Sequence, residues 1–209
     1  LASWALALAL IPTLNAAPLS PQNASDDSDL SAPPRRPTGV FLQKEAFQDG
    51  PATVFPTLRG PGGSRTVKAD GFYQGPYATA LAADEILTEI RVPRPARGHG
   101  YAYQKMKRKV GDYAIAAAAV VLGVKGGTCS SAAVALTNVG PTPLKVAAAA
   151  KALVGSRVDE GAIAKAEAAA REIADPASDM RGPPEFRRHV AGIMTRRAIE
   201  AALRRAQAS

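Results

Sequence analysis

The chain is poor in sulfur and imidazole: Cys129 is its one cysteine, and His99 and His189 are its two histidines, among 209 residues. An internal disulfide is therefore excluded, as is a cysteine-rich zinc or iron–sulfur site built from this chain alone. A histidine-rich metal centre or a Ser–His–Asp triad would have to use His99, which lies in a Gly-rich turn, or His189, which lies among arginines. Both read as solvated side chains. Aromatic residues make up 5% of the chain against 46% hydrophobic residues. A core must then be assembled from Ala, Val, Leu and Ile. No apolar run is long enough to span a bilayer.

Charge is not scarce. The formal net charge is +8, which by itself fits nucleic acid, an acidic partner or plain solubility. The positive residues fall in two groups. One holds Lys105, Lys107, Arg108 and Lys109; the other holds Arg181, Arg187, Arg188, Arg196, Arg197, Arg204 and Arg205. Neither is interleaved with the aromatic platform that a single-strand binder uses. The pattern argues against nucleic acid as the partner.

The front of the chain differs from the rest. Residues 4–11 are apolar and are followed by Asn15-Ala16-Ala17, which resembles a signal-peptide core and cleavage site without the basic region that should precede them. Residues 18–56 carry Pro, Ser, Asp and Gln with no sustained period, including Pro33, Pro34, Pro37 and the cluster Asp26, Asp27 and Asp29. That composition predicts loop or disorder. Residues 1–56 are expected to be an irregular segment. It is either a linker or non-native text from a GC-rich gene read out of frame, and one uninterrupted frame on resequencing would remove the second explanation.

From residue 57 the pattern becomes regular. Arg59 to Arg65 predict a turn, with Thr66 and Val67 beginning a short strand. Gly75-Pro76-Tyr77 predicts a second turn. Asp84 to Pro93 alternates, placing Ile86, Thr88, Ile90 and Val92 on one face of a half-buried strand that Pro93 and Pro95 end. Tyr101 to Lys109 alternates again, with Lys105 and Lys107 on one face. Ala114 to Val124 and Thr128 to Asn138 are apolar runs of similar length around Gly126-Gly127. They read as a hairpin against the helix propensity of their alanines. Helices are expected over 144–153 and 159–174, with Gly155 as a stop between them. A last helix is expected from Pro183 or Pro184, with Phe186, Val190, Ile193 and Met194 as its apolar stripe and the arginines at its flanks. The layout is α+β.

Several stretches carry a family resemblance. They are Phe72-Tyr73-Gln74-Gly75-Pro76-Tyr77, Glu85 to Ile90, Lys105-Met106-Lys107-Arg108-Lys109-Val110-Gly111-Asp112-Tyr113-Ala114, Leu136 to Pro143, and Ser178-Asp179-Met180-Arg181-Gly182 with Glu185 to His189. In this order, over about residues 57–205, they resemble the flavin-binding medium subunit of aerobic carbon monoxide dehydrogenases, molybdenum hydroxylases related to xanthine dehydrogenase. The resemblance implies that residues 57–95 are the end of a FAD-binding α/β domain. It implies that residues 96–205 are the C-terminal domain, an antiparallel sheet followed by a three-helix bundle. The two Gly-rich loops with which the family's front domain holds the FAD diphosphate are not visible. The chain is thus expected to carry the back half of such a subunit, and alone to be inactive.

The resemblance further implies a division of labour. A large subunit holds the molybdenum cofactor, a small subunit holds 2Fe–2S clusters, and the flavin subunit passes electrons through FAD to an acceptor such as a quinone. The complex would be cytoplasmic, with peripheral association at the inner face of the membrane as an option. Residue by residue, the match places Ile86 and Leu87 against the cofactor and brings Lys105 towards it. It puts Tyr77 on a turn near the flavin, and Asp112 and Tyr113 on a loop beside the isoalloxazine ring. By pattern alone, Ile86 and Leu87 are strand-core residues, Lys105 an exposed strand lysine and Tyr77 a turn-packing ring. Gly111 suits either a positive φ or close approach to a ring. Two other functions compete: a docking fragment that packs on partner subunits and binds no FAD, and an arginine-rich binder of nucleic acid or an acidic partner. Flavin absorbance separates the first, and salt-dependent DNA binding the second.

Overall fold

A computed structural model describes residues 55–92, 95 and 98–208. The expectations for the apolar run at 4–11 and for residues 18–54 lie outside these, as does Pro93. Strand β1 (Phe55–Gly60) begins two residues before the expected start of regular structure. It turns through Pro61 and Gly62 into β2 (Gly63–Thr66), so the second strand ends at Thr66 rather than beginning there. A single 3-10 turn (Ala69–Gly71) and the short pair β3 (Tyr73–Gly75) and β4 (Ala78–Thr79) follow. Strand β5 (Ile86–Arg91) returns to pair with β1, giving a three-stranded antiparallel sheet of order β2-β1-β5.

The expected half-burial of β5 is not found. All six of its residues are exposed, and Ile86 keeps 65% of its surface. The alternation is correct, but β5 is an edge strand, and among the described residues no layer covers either of its faces.

The second sheet is a meander of order β6-β7-β8-β9, all antiparallel. It consists of β6 (His99–Met106), β7 (Ala116–Lys125), β8 (Thr128–Thr137) and β9 (Leu144–Lys145). The alanine run is strand, as the hairpin reading requires. Gly126 and Gly127 take φ of +58° and +76°, the two left-handed positions of the turn that matches strand twist. β6 stops at Met106, so Lys107 lies in the following loop and does not share a strand face with Lys105. Leu144 and Lys145 were expected to be helical. They pair instead with Leu136 and Ala135, and helix α1 (Ala147–Leu153) starts after them.

Helix α2 (Glu160–Ile173) is capped by Asp159, whose carboxylate accepts from Ala162 N–H at 2.9 Å. Gly155 ends the α1 segment at φ +82°, and its N–H donates to the Cys129 carbonyl at 2.8 Å. Helix α3 (Pro184–Gln207) opens on proline, where no intrahelical N–H is needed.

Its buried face is Val190, Ala191, Met194, Thr195, Ala198, Ile199, Ala202 and Ala206. Spacings of three and four make one stripe. Phe186, expected in that stripe, sits at its edge and is exposed. The stripe packs on β6 and β7, and α2 packs on α3. Alanine and glycine permit this close approach: a Cβ on Gly100 would overlap the Ala202 carbonyl. With little aromatic volume available, the layers fill the core by lying close together. No helix among the described residues is long and apolar enough to cross a membrane.

Candidate functional site

Cross-strand neighbours of an antiparallel sheet point to the same side, so the register assigns each face of the second sheet. Ala102, Ala116, Ala118, Val120, Leu122, Val134 and Leu136 share one core with the three helices. Apart from Tyr101, whose ring receives Arg205 from α3, the other face carries rows that lie outside this core. Lys105, Ala117 and Thr137 form one row, and Tyr103, Ala119, Ala135 and Lys145 the next. Ala117 and Ala119 are buried and lie outside the helix core. The Thr137 hydroxyl is buried and has no hydrogen-bond partner among the described residues. Burial raises the Tyr103 phenol above its ordinary pKa. At the β9 edge, Lys145 Nζ meets Asp70 Oδ2 at 3.1 Å, which brings the 3-10 turn of the first unit to the rim of this face.

Lys105 lies at the end of the sheet where the β6–β7 loop begins. That loop is closed at its base by Ile115 N–H donating to the Met106 carbonyl at 2.8 Å. Inside the loop, Asp112 Oδ1 accepts from Tyr113 N–H at 2.9 Å and Asp112 Oδ2 from Arg108 Nε at 3.1 Å. Partial burial pushes the Asp112 carboxyl up, but the Arg108 hydrogen bond and charge outweigh it, so Asp112 titrates below its ordinary value. Gly111 adopts φ +83° with open space among the described residues where a Cβ would be. The turn needs that positive φ. The Tyr113 ring is half-exposed, with the Arg181 guanidinium 5.6 Å from its centroid.

Ile86 and Leu87 lie in the other sheet, opposite Arg59 and Leu58. Their position is set by the residue before them. Glu85 receives Arg65 Nε and Nη2, both at 2.7 Å, and Ala82 N–H at 2.8 Å. The Arg65 hydrogen bonds, then the Ala82 N–H, hold the Glu85 carboxyl down at about 2. Tyr77 sits in the β3–β4 turn, fully exposed, at φ +59°. A non-glycine residue pays for that conformation in strain. The six candidates therefore form two groups. Lys105, Asp112 and Tyr113 share one end of the second sheet, while Ile86, Leu87 and Tyr77 belong to the first unit, where apolar side chains are bare.

Sequence reasoning placed Arg187 at the flank of α3, and the structure buries it with 4% of its surface exposed. Its guanidinium donates to Ala177 O at 2.7 Å, Ile115 O at 3.3 Å and Asn138 O, and meets Asp179 Oδ2 at 3.2 Å. Helical periodicity gave no sign of this, because the acceptors come from the ends of β7 and β8. Thr137 and Arg181 were also missed as participants, although both stand inside the stretches that carried the resemblance.

Residues 101–202 match the CO dehydrogenase flavoprotein C-terminal domain. The chain belongs to the carbon monoxide dehydrogenase medium-chain family of flavoproteins. It is 55% identical over 150 residues to the carbon monoxide dehydrogenase medium chain of Afipia carboxidovorans, covering 72% of this chain and 52% of that one. It is 46% identical over 145 residues to the medium chain of Hydrogenophaga pseudoflava, covering 69% and 50%. Among solved structures, reconstituted CO dehydrogenase from Oligotropha carboxidovorans superposes with a TM-score of 0.71 at 55% identity, over 73% of this chain and 53% of that chain. The chain thus spans about half the length of the curated relatives it matches. The α+β architecture found for the second sheet and its helices is the one this family assignment requires.

Proposed function

We propose that this chain is part of the FAD-binding subunit of a carbon monoxide dehydrogenase-like molybdenum hydroxylase. In this reading the face of its second sheet opposite the helix core, and the β6–β7 loop, border the flavin. The observation that carries the reading is the row Lys105–Ala117–Thr137. It sets a cation and a buried hydroxyl with an unspent hydrogen bond on either side of one small side chain. A buried polar group in that state costs free energy unless something pairs with it, and a planar, polar-edged cofactor suits the donor set. FAD, when bound, supplies the electron-accepting and electron-releasing chemistry. Lys105 would hold its negative charge and Thr137 a ring heteroatom. Ile86 and Leu87 would exclude water from one side, Tyr77 would edge the site, and Asp112 and Tyr113 would border the ring at its accessible side.

The partners in this reading are a large molybdenum-cofactor subunit and a small 2Fe–2S subunit, with a quinone-type acceptor and a cytoplasmic location, peripheral association at the inner face of the membrane being an option. Neither Gly-rich diphosphate loop occurs in this sequence. The chain by itself should therefore lose FAD on gel filtration, and stoichiometric FAD after desalting would contradict this. In the complete flavin subunit, Lys105→Ala should weaken FAD retention more than Lys107→Ala. The expected difference is about 1.5–3 kcal/mol, the size of a charge-assisted hydrogen bond. Equal effects would mean that the sheet row is not the flavin face.

A further inference from the structure

We propose that the turn Asp179–Gly182 is a positioning clamp for the Tyr113 loop: buried Arg187 holds Asp179, Asp179 holds Arg181, and Arg181 lies against the Tyr113 ring. The mechanical part of the proposal stands on the contacts of this chain. Its consequence for the flavin rests on the reading that Tyr113 borders that group.

Asp179 is the centre of the clamp. Its Oδ1 accepts from Arg181 N–H at 2.7 Å, and its Oδ2 meets Arg181 Nη1 at 2.7 Å and Arg187 Nη1 at 3.2 Å. The turn around it is closed by Gly182 N–H donating to Asp179 O at 2.9 Å. Gly182 takes φ +124°, and a Cβ there would press on the Phe186 ring. A side chain at 182 would be strained both by that φ and by the ring. The turn is thereby fixed to the first turn of α3.

Two arginines then cross between turn and loop in opposite directions. Arg181 reaches from the turn to the Tyr113 ring. Arg108 reaches from the loop to the Met180 carbonyl at 3.4 Å, while its Nε holds Asp112. Asp112 in turn fixes Tyr113 N–H. Arg187 also binds Ile115 O and Asn138 O, so one guanidinium ties together the exit of the loop, the end of β8 and the turn. Between these ties the loop has little of its own to hold it: Lys107, Lys109, Val110 and Gly111 are all exposed. The orientation of the Tyr113 ring is then set by the clamp and not by packing beneath the loop.

The test is amide hydrogen exchange on the full chain, reading peptides over 107–114 against peptides of α3. Arg181→Gln and Asp179→Asn should each speed exchange in 107–114 by about tenfold, the factor expected from losing an exposed cation–π contact together with a partly exposed ion pair. Exchange in α3 should not change in Arg181→Gln, and in Asp179→Asn it should change only in the first turns around Arg187. Arg181→Lys keeps a cation beside the ring and should restore most of the protection. Unchanged exchange over 107–114 in Arg181→Gln would overturn the clamp, as would equal acceleration in loop and helix. The second arm uses Arg181→Gln in the flavin-loaded enzyme, where the visible flavin absorption bands and the KM for the electron acceptor should both shift. Faster loop exchange with unshifted flavin bands would support the clamp and refute the placement of Tyr113 beside the flavin. Shifted bands with unchanged exchange would support that placement and refute the clamp.

Discussion

Arg187 carries its charge into the domain and meets three carbonyls and one carboxylate there. A buried cation is tolerable only when its donors are spent in this way. Removing the cation would leave the Ile115, Ala177 and Asn138 carbonyls without the donor they share. Arg187→Met should therefore destabilise the chain by about 3 kcal/mol, within the range for loss of a buried hydrogen-bonded charge. A denaturant titration reads this directly, and a change under about 0.5 kcal/mol would be the surface-residue result. With the same geometry, a charge-reversed residue at 187 would report on folding and carry no information about docking.

At the scale of elements, β5 is held by its pairing with β1 and by the Arg65–Glu85 lock at its start. The Glu85 carboxyl titrates at about 2 in the folded chain against an ordinary value of 4.5. A depressed folded value means that the carboxylate contributes stability above the unfolded value. The contribution is complete above roughly pH 5 and is lost as pH falls from about 4.5 towards 2. Exchange protection in β1 and β5 should accordingly fall with acid over that window, and Glu85→Gln should flatten the dependence while lowering protection at neutral pH. An acid profile identical in the two proteins would show that the lock is not coupled to the stability of the sheet. The hairpin of β7 and β8 was legible at this scale, since two apolar runs of equal length around Gly126-Gly127 leave few alternatives. The exposure of β5 was not legible, because alternation marks a face without saying whether another layer covers it.

For the whole molecule, most of the arginines at the flanks of the last helix are spent internally. Arg196 pairs with Glu160 and Glu167, Arg188 with Ala174 O and Asp175, and Arg205 with the Tyr101 carbonyl and ring. Arg197 and Arg204 are exposed and remain for a partner. Reversing both to Glu should leave the stability of the chain within about 0.5 kcal/mol of the parent. If α3 faces another subunit, the same change should lower the salt concentration at which the complex separates, since exposed charge pairs are screened by salt. Unaltered salt resistance would leave Arg197 and Arg204 as a solvated face.

The sequence by itself determined most of the strands and helices from Tyr101 onward, though Leu144 and Lys145, expected in a helix, pair as β9. Period, Gly-Gly, the acidic cap at Asp159 and the paired prolines at 183 and 184 all act within a few residues of where they stand. It also determined the family, because the ordered stretches from Phe72 to His189 survive as text. The tertiary structure alone decided which arginine is buried and which face of the meander packs on the helix core, as well as the joining of Arg181 to Tyr113. Those outcomes depend on atoms far apart in the chain: the carbonyls of Ile115 and Asn138 are 72 and 49 residues from Arg187. Local periodicity cannot report a burial created by the meeting of a helix start with the ends of two strands.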